Sequence, residues 1–114
     1  MDSLLDFDTV LARSDGDREA LQVVAQLFLE EFPGLLTEIR RAIGSRDAKA
    51  LQHWAHNLKG AVSNFSPVCA APLMELELMA GRGRTEGAEA FLRAAEEYLE
   101  VLSGEMLVFL VPTP

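Results

Sequence analysis

The chain has 114 residues, with ten basic against eighteen acidic side chains and a formal net charge of -8. Apolar residues make up 49% and charged residues 25%, the mix of an ordinary folded domain, which argues against disorder. The acidic balance argues against nucleic acid or an anionic lipid surface as a partner, since either would repel the molecule.

Cys69 is the one cysteine, so no internal disulfide forms, and no CxxC or Cys/His cluster is present to hold structural zinc. The start, Met1 to Asp6, lacks the basic and apolar regions of a signal peptide. The longest apolar run, Met106 to Val111, is too short to cross a bilayer, so no membrane insertion is expected and a reducing cytoplasm is. Residues 1–114 read as one domain.

Helical periodicity dominates and strand-like alternation is nearly absent. After a short lead with Phe7, Val10 and Leu11, Asp15-Gly16-Asp17 reads as a turn that supplies an N-cap. Leu21, Val24, Phe28 and Phe32 trace one helix face, and Pro33-Gly34 is expected to interrupt it. Leu35, Leu36, Ile39, Ala42 and Ile43 form the buried side of a second piece. Gly44-Ser45-Arg46-Asp47 makes the next break, with Ser45 or Asp47 as cap. A helix over about 48–65 follows.

Ser66-Pro67 signals a restart, a capping serine with proline at the first helical position. Its helix holds Leu73, Leu76 and Ala80, with Met74, Leu78 and Met79 widening the apolar stripe. Gly81 to Arg84 ends it, and Thr85 is expected to cap a last helix carrying Ala88, Phe91, Leu92, Ala95, Leu99 and Leu102. Short connections favour antiparallel neighbours. The expected fold is all-α, an antiparallel up-down four-helix bundle with one or two short additional helices. In the tail, 105–114, Met106, Phe109 and Leu110 continue the apolar stripe. Packing back on the bundle is expected there, with an exposed patch as the alternative.

The helix over 48–65 carries two stripes on a wheel of about 100° per residue. Leu51, Trp54, Ala55, Leu58, Val62 and Phe65 point one way, into the core. Gln52, His56, Lys59 and Ser63 form a second line at spacings of three and four. Gly60 lies one turn beyond His56, although a mid-helix glycine costs about 1 kcal/mol relative to alanine. Its missing side chain leaves room beside the imidazole, and Lys59 brings a cation there. An exposed histidine with space and a positive charge suits a phosphoryl group carried on a ring nitrogen. Over residues 40–65, Arg40, Arg41, Arg46, Lys49 and Lys59 face one acid, Asp47, a local net of +4 on a body that is otherwise -12. Such a patch would orient an acidic partner.

The run Ala55-His56-Asn57-Leu58-Lys59-Gly60-Ala61-Val62-Ser63-Asn64-Phe65 resembles the motif of histidine-containing phosphotransfer (HPt) domains, roughly A-H-x-L-K-G-x-x-x-N. The resemblance extends over most of the chain. Upstream it takes in Arg13-Ser14-Asp15-Gly16-Asp17, Leu27-Phe28, Phe32-Pro33, Ala42 and Asp47. Downstream it takes in Cys69 through Leu73 and Leu76-Glu77. Ser66, followed by Pro67, departs from it where the family usually has glycine.

The resemblance implies a four-helix bundle that relays phosphoryl groups between receiver-domain aspartates. In it His56 would be the phosphoacceptor, Lys59 would screen the phosphate, and Gly60 and Ser63 would keep the surface open. Gln52 would hydrogen-bond nearby. No cofactor is needed, because the Mg²⁺ belongs to the partner receiver. The chain would be a non-catalytic carrier and a monomer. It would meet receivers or a hybrid sensor histidine kinase transiently, and Met1 with its short lead favours a stand-alone protein. Two other readings remain: a regulatory docking module that is never phosphorylated, and a metal clip formed by His53 and His56.

Overall fold

The computed structural model describes residues 4–13 and 15–109, and all of their regular structure is helical. Met1 to Ser3, Ser14 and Leu110 to Pro114 lie outside the described residues, as do the side chains of Phe7, Arg13 and Phe109. The elements are α1 (Phe7–Arg13), α2 (Arg18–Gly44), α3 (Ala48–Ser63), α4 (Pro67–Gly81) and α5 (Ala88–Phe109). The last four make the up-down bundle, and α1 is the one short addition.

Capping chemistry sets the starts of α2 and α3. Asp17 is extended and its carboxylate accepts from the Ala20 N–H at 3.1 Å; Asp47 does the same for Ala50 at 3.0 Å. Each satisfies an amide that the first helical turn leaves without a partner. Between α2 and α3 the chain reverses through Arg46 at φ +56°, and the Asp47 N–H returns to the Ala42 carbonyl at 2.9 Å.

Three junctions differ from the sequence expectation. Pro33 and Gly34 do not break the helix, since α2 runs unbroken for 27 residues. Proline forfeits its own N–H and crowds the Leu29 carbonyl, but Pro33 and Gly34 lie on an exposed face, away from the buried stripe of the helix. Residues on both sides of Pro33, from Leu21 to Ile43, bury one continuous stripe. Thr85 does not cap α5, which begins at Ala88. Gly87 at φ +81° turns the chain in, and Thr85 contributes its carbonyl to the Ala88 N–H at 3.2 Å. Ser66 occupies the cap position before Pro67, but its hydroxyl makes no capping bond and is buried beside the Cys69 thiol. Burial pushes that thiol up from its ordinary range.

The core runs the length of the bundle: Leu36 and Ile39 from α2, Leu51, Ala55, Leu58 and Val62 from α3, Leu73 and Leu76 from α4, and Leu99, Leu102 and Met106 from α5. At one end the Phe28 ring lies 5.2 Å from Phe65. The N-terminal segment, with Leu5 and Val10 buried, covers that end. It is tied by Asp6 N–H to the Phe65 carbonyl at 3.2 Å and by Leu4 and Leu5 N–H to the Glu105 carboxylate at 2.8 and 3.0 Å. The tail packs back as far as Met106, while Leu107 and Val108 are exposed. Met74 and Leu78 are exposed as well, so α4 is apolar on its outer face too.

Replacing Pro33 with alanine restores the missing helical bond on an exposed face. The variant is expected to be more stable by about 1–3 kcal/mol, read from the urea unfolding midpoint at unchanged m-value.

Candidate functional site

The turn at residues 64–66 folds α4 back along α3. Residues equidistant from the Ser66–Pro67 junction therefore face each other, and His56 and Glu77, ten residues to either side, meet. One turn on, the Gln52 amide lies over Gly81, close enough that a β-carbon there would sit 3.1 Å from Nε2. The line Gln52, His56, Lys59 and Ser63 thus borders α4 while the opposite stripe of α3 is sealed in the core.

The His56 side chain is 64% exposed, and its Nδ1 lies 2.8 Å from Glu77 Oε2. The Lys59 side chain is 23% exposed, and its ammonium makes a close ion pair at 2.6 Å with Glu77 Oε1. One carboxylate, its side chain only 20% exposed, therefore contacts both the His56 imidazole and the Lys59 ammonium. Lys59 holds the Glu77 carboxyl below the usual carboxylate range, and His56 adds to the effect, against the upward push of partial burial. Glu77 is accordingly an anion, which can only accept a hydrogen bond. In the neutral ring the proton therefore sits on Nδ1 and donates to Glu77, which leaves the Nε2 lone pair bare and outward. Gly60 leaves open space, since a β-carbon there would meet nothing within 4 Å.

The other expected residues divide. The Ser63 hydroxyl donates to the Lys59 carbonyl at 2.7 Å, so it turns back onto its own helix and contributes smallness there. Arg40 pairs with Glu96 at 3.0 Å and Arg41 with Glu38 at 3.0 Å, which offsets part of the basic patch counted from the sequence. Arg46 and Lys49 are exposed at the start of α3. The His53 Nε2 faces the Asn57 amide at 3.3 Å and its ring meets Trp54 edge-on, away from His56. Among the described residues no group of three His, Cys, Asp or Glu gathers to hold a metal ion.

Glu77 is the participant that sequence reasoning passed over. It entered only as part of a family-like Leu76-Glu77 pair, and the charge inventory stopped at residue 65. The available signal was the hairpin itself, which pairs a position on α3 with the one equally far from the turn on α4.

A helical bundle holding an exposed imidazole, with one ring nitrogen committed and the other open, is a scaffold for presenting a nucleophile. The family model of the Hpt domain matches residues 23–105. In structure the chain is similar to the crystal structure of histidine-containing phosphotransfer protein B (HptB) from Pseudomonas aeruginosa PAO1. The TM-score is 0.82 at 26% sequence identity, with 90% of each chain covered. No curated protein sequence matches it. The chain belongs to the Hpt domain family. Domains of this family are phosphocarriers in phosphorelay signalling that interact with the receiver domains and kinases of two-component systems. Among the described residues, no helix is long and apolar enough to cross a membrane.

A carboxyl whose pKa is lowered by folding stabilises the folded chain above its ordinary value of 4.5 and loses that contribution as pH falls through the lower folded value. Glu77→Gln is therefore expected to be less stable than the parent at pH 7. The gap should close as the pH drops below about 4.5, measured by urea titrations across pH 3–7.

Proposed function

We propose that this chain is a phosphorelay intermediate that carries the phosphoryl group on Nε2 of His56. The observation that carries the reading is the division of labour on the ring: Nδ1 faces a carboxylate at 2.8 Å while the rest of the imidazole stands in solvent. In transfer, the Nε2 lone pair attacks the phosphorus of a receiver aspartyl phosphate. The P–N bond forms, the P–O bond breaks, and the aspartate leaves as a carboxylate. The Nδ1 proton stays where it is. The return step reverses each of these, with a second receiver's carboxylate as nucleophile.

The remaining roles follow the same geometry. Gly60 leaves room for the incoming receiver, and Lys59 is the cation one turn away. Ser63 keeps the next turn low, and Gln52 flanks the imidazole from its place over Gly81. Arg46 and Lys49, with Arg40 and Arg41 behind them, form the basic docking patch. The transfer chemistry needs a Mg²⁺ ion, and the receiver brings it. This chain does not catalyse: it supplies a nucleophile and leaving group, and the complex supplies positioning. The interface is small and transient, because the carrier must let go after each exchange. The protein acts as a monomer in the cytoplasm, consistent with its acidic body and lone buried cysteine.

Incubation with a radiolabelled phospho-receiver is expected to place label on the wild-type chain in an acid-labile, base-stable form, and none on His56→Gln. Label on His56→Gln would overturn the site, and receiver binding without any label on wild type would favour a docking module. Gly60→Ala should be more stable by up to about 1 kcal/mol, because its β-carbon fits open helical space. The same change should slow transfer with a receiver in a stopped-time assay. Equal rates would remove the steric argument.

A further inference from the structure

Helices α2 and α4 close in the same way at the same end of the bundle. In α2 the Arg46 N–H donates to the Ile43 carbonyl at 3.1 Å and the Asp47 N–H to the Ala42 carbonyl at 2.9 Å. In α4 the Gly83 N–H donates to the Ala80 carbonyl at 2.9 Å and the Arg84 N–H to the Met79 carbonyl at 3.0 Å. This pair of reverse bonds needs a left-handed residue just past the helix, a place that glycine fills best. Gly83 fills it after α4, at φ +75°, whereas α2 has Arg46 there, at φ +56°. Asp15 is the other described non-glycine residue with positive φ, and a short acidic side chain tolerates that backbone. Arginine has no such local compensation. Arg46 is exposed and makes no ion pair among the described residues, so the fold gains nothing visible from it.

Other cations collect at this strained position. Residues 37–55 and 78–92 form this end of the bundle and hold six basic and four acidic side chains. The rest of the chain has four basic and fourteen acidic. Arg40 and Arg41 are occupied by Glu96 and Glu38, but Lys49, Arg82 and Arg84 are exposed and, among the described residues, unpaired. Lys49 lies two turns before His56 on the same helix face, and the approach of Gln52 to Gly81 sets Arg82 and Arg84 beside the start of α3. Helix dipoles do not account for the cluster. Helices α2 and α4 end here, but α3 and α5 begin here, so their partial charges offset.

We propose that Arg46, Lys49, Arg82 and Arg84 form a platform that steers the receiver onto the chain, and that Arg46 occupies its strained position for this purpose. The proposal rests on the reading of His56 as acceptor and adds which side of the bundle the partner covers. A receiver that binds Mg²⁺ does so with carboxylates, so the surface it presents is acidic. It is drawn over the two turns and repelled by the acidic opposite end. Lys49 is about 10 Å from His56 along the helix, beyond a Debye length of about 8 Å at physiological salt. Charges that far away are screened from a phosphoryl group on the ring but act on an approaching protein. They set the encounter rate and leave the chemistry alone.

The test follows transfer from a radiolabelled phospho-receiver to the full chain, as a second-order rate constant at about 0.02 and 0.5 M salt. Arg46→Gly is expected to be about two- to threefold slower at low salt, and the triple variant Arg46→Gly, Arg82→Ser, Arg84→Ser about tenfold slower. Both should converge on the parent at high salt. Arg46→Gly is also expected to unfold at a higher urea concentration than the parent, which a structural role for the arginine would not give. Phosphoramidate, a small donor that passes its phosphoryl group to imidazole and releases ammonia, should load every variant at the parental rate.

A parental transfer rate in the triple variant at low salt overturns the proposal. So does a deficit that persists at high salt or appears with phosphoramidate, and so does a lowered urea midpoint in Arg46→Gly. Equal label on the wild type and His56→Gln would instead show that the reading of His56, and not the platform, has failed.

Discussion

The register between α3 and α4 is the constraint on which the site depends. Ala55, Leu58 and Val62 on one helix and Leu73, Leu76 and Ala80 on the other are all buried, and small residues in both rows let the helices lie close. The turn at residues 64–66 is too short to allow slippage, and Phe65, fully sealed against Phe28, pins it. A shift of one residue along α4 would carry Glu77 roughly 100° away from His56. Hydrophobic packing in the interior thus sets an ionic contact on the surface, and the surface contact need contribute little to holding the fold.

That contact has unusual leverage because of where it sits. An ion pair in full solvent is screened and contributes little. Glu77 and Lys59 are mostly covered, so their charges interact through protein rather than water, while the imidazole they flank remains open. The carboxylate is shared, with one oxygen for the ring and one for the ammonium. A change at any of the three therefore alters the other two, and attaching an anion to the ring would be such a change.

The architecture and the exposed line of α3 were legible in the sequence because both follow from local rules. Helical periodicity separates the buried and outer stripes of α3, and Asp17 and Asp47 announce their helices through the acceptor geometry of a short acidic side chain. The junctions were less legible because burial overrides local preference. Pro33 breaks an isolated helix, yet here its exposed position leaves a continuous core stripe on the opposite side. Ser66 has the chemistry of a cap but turns its hydroxyl inward toward Cys69. Glu77 escaped because its partner lies 21 positions away, beyond any helical period. Only the pairing of two helices across a known turn relates such positions. The pairing of Arg40 with Glu96 was likewise out of reach, because Glu96 comes from α5.

Gly60 shows how a residue's purpose can lie outside its own chain. A β-carbon would be free of contact there, as it would be at Gly34, Gly44 and Gly104, so open space alone does not distinguish it. Gly44 ends its helix, Gly34 follows a proline, and Gly104 lies near the close of α5. Gly60 has no such backbone duty, being inside α3 with an ordinary helical conformation. The helix gives up stability there without any internal return. What the missing methylene leaves open is the surface one turn from the bare Nε2. Only something that must approach that nitrogen closely benefits from the opening, which is why the glycine argues for a docking partner while the packing around it does not.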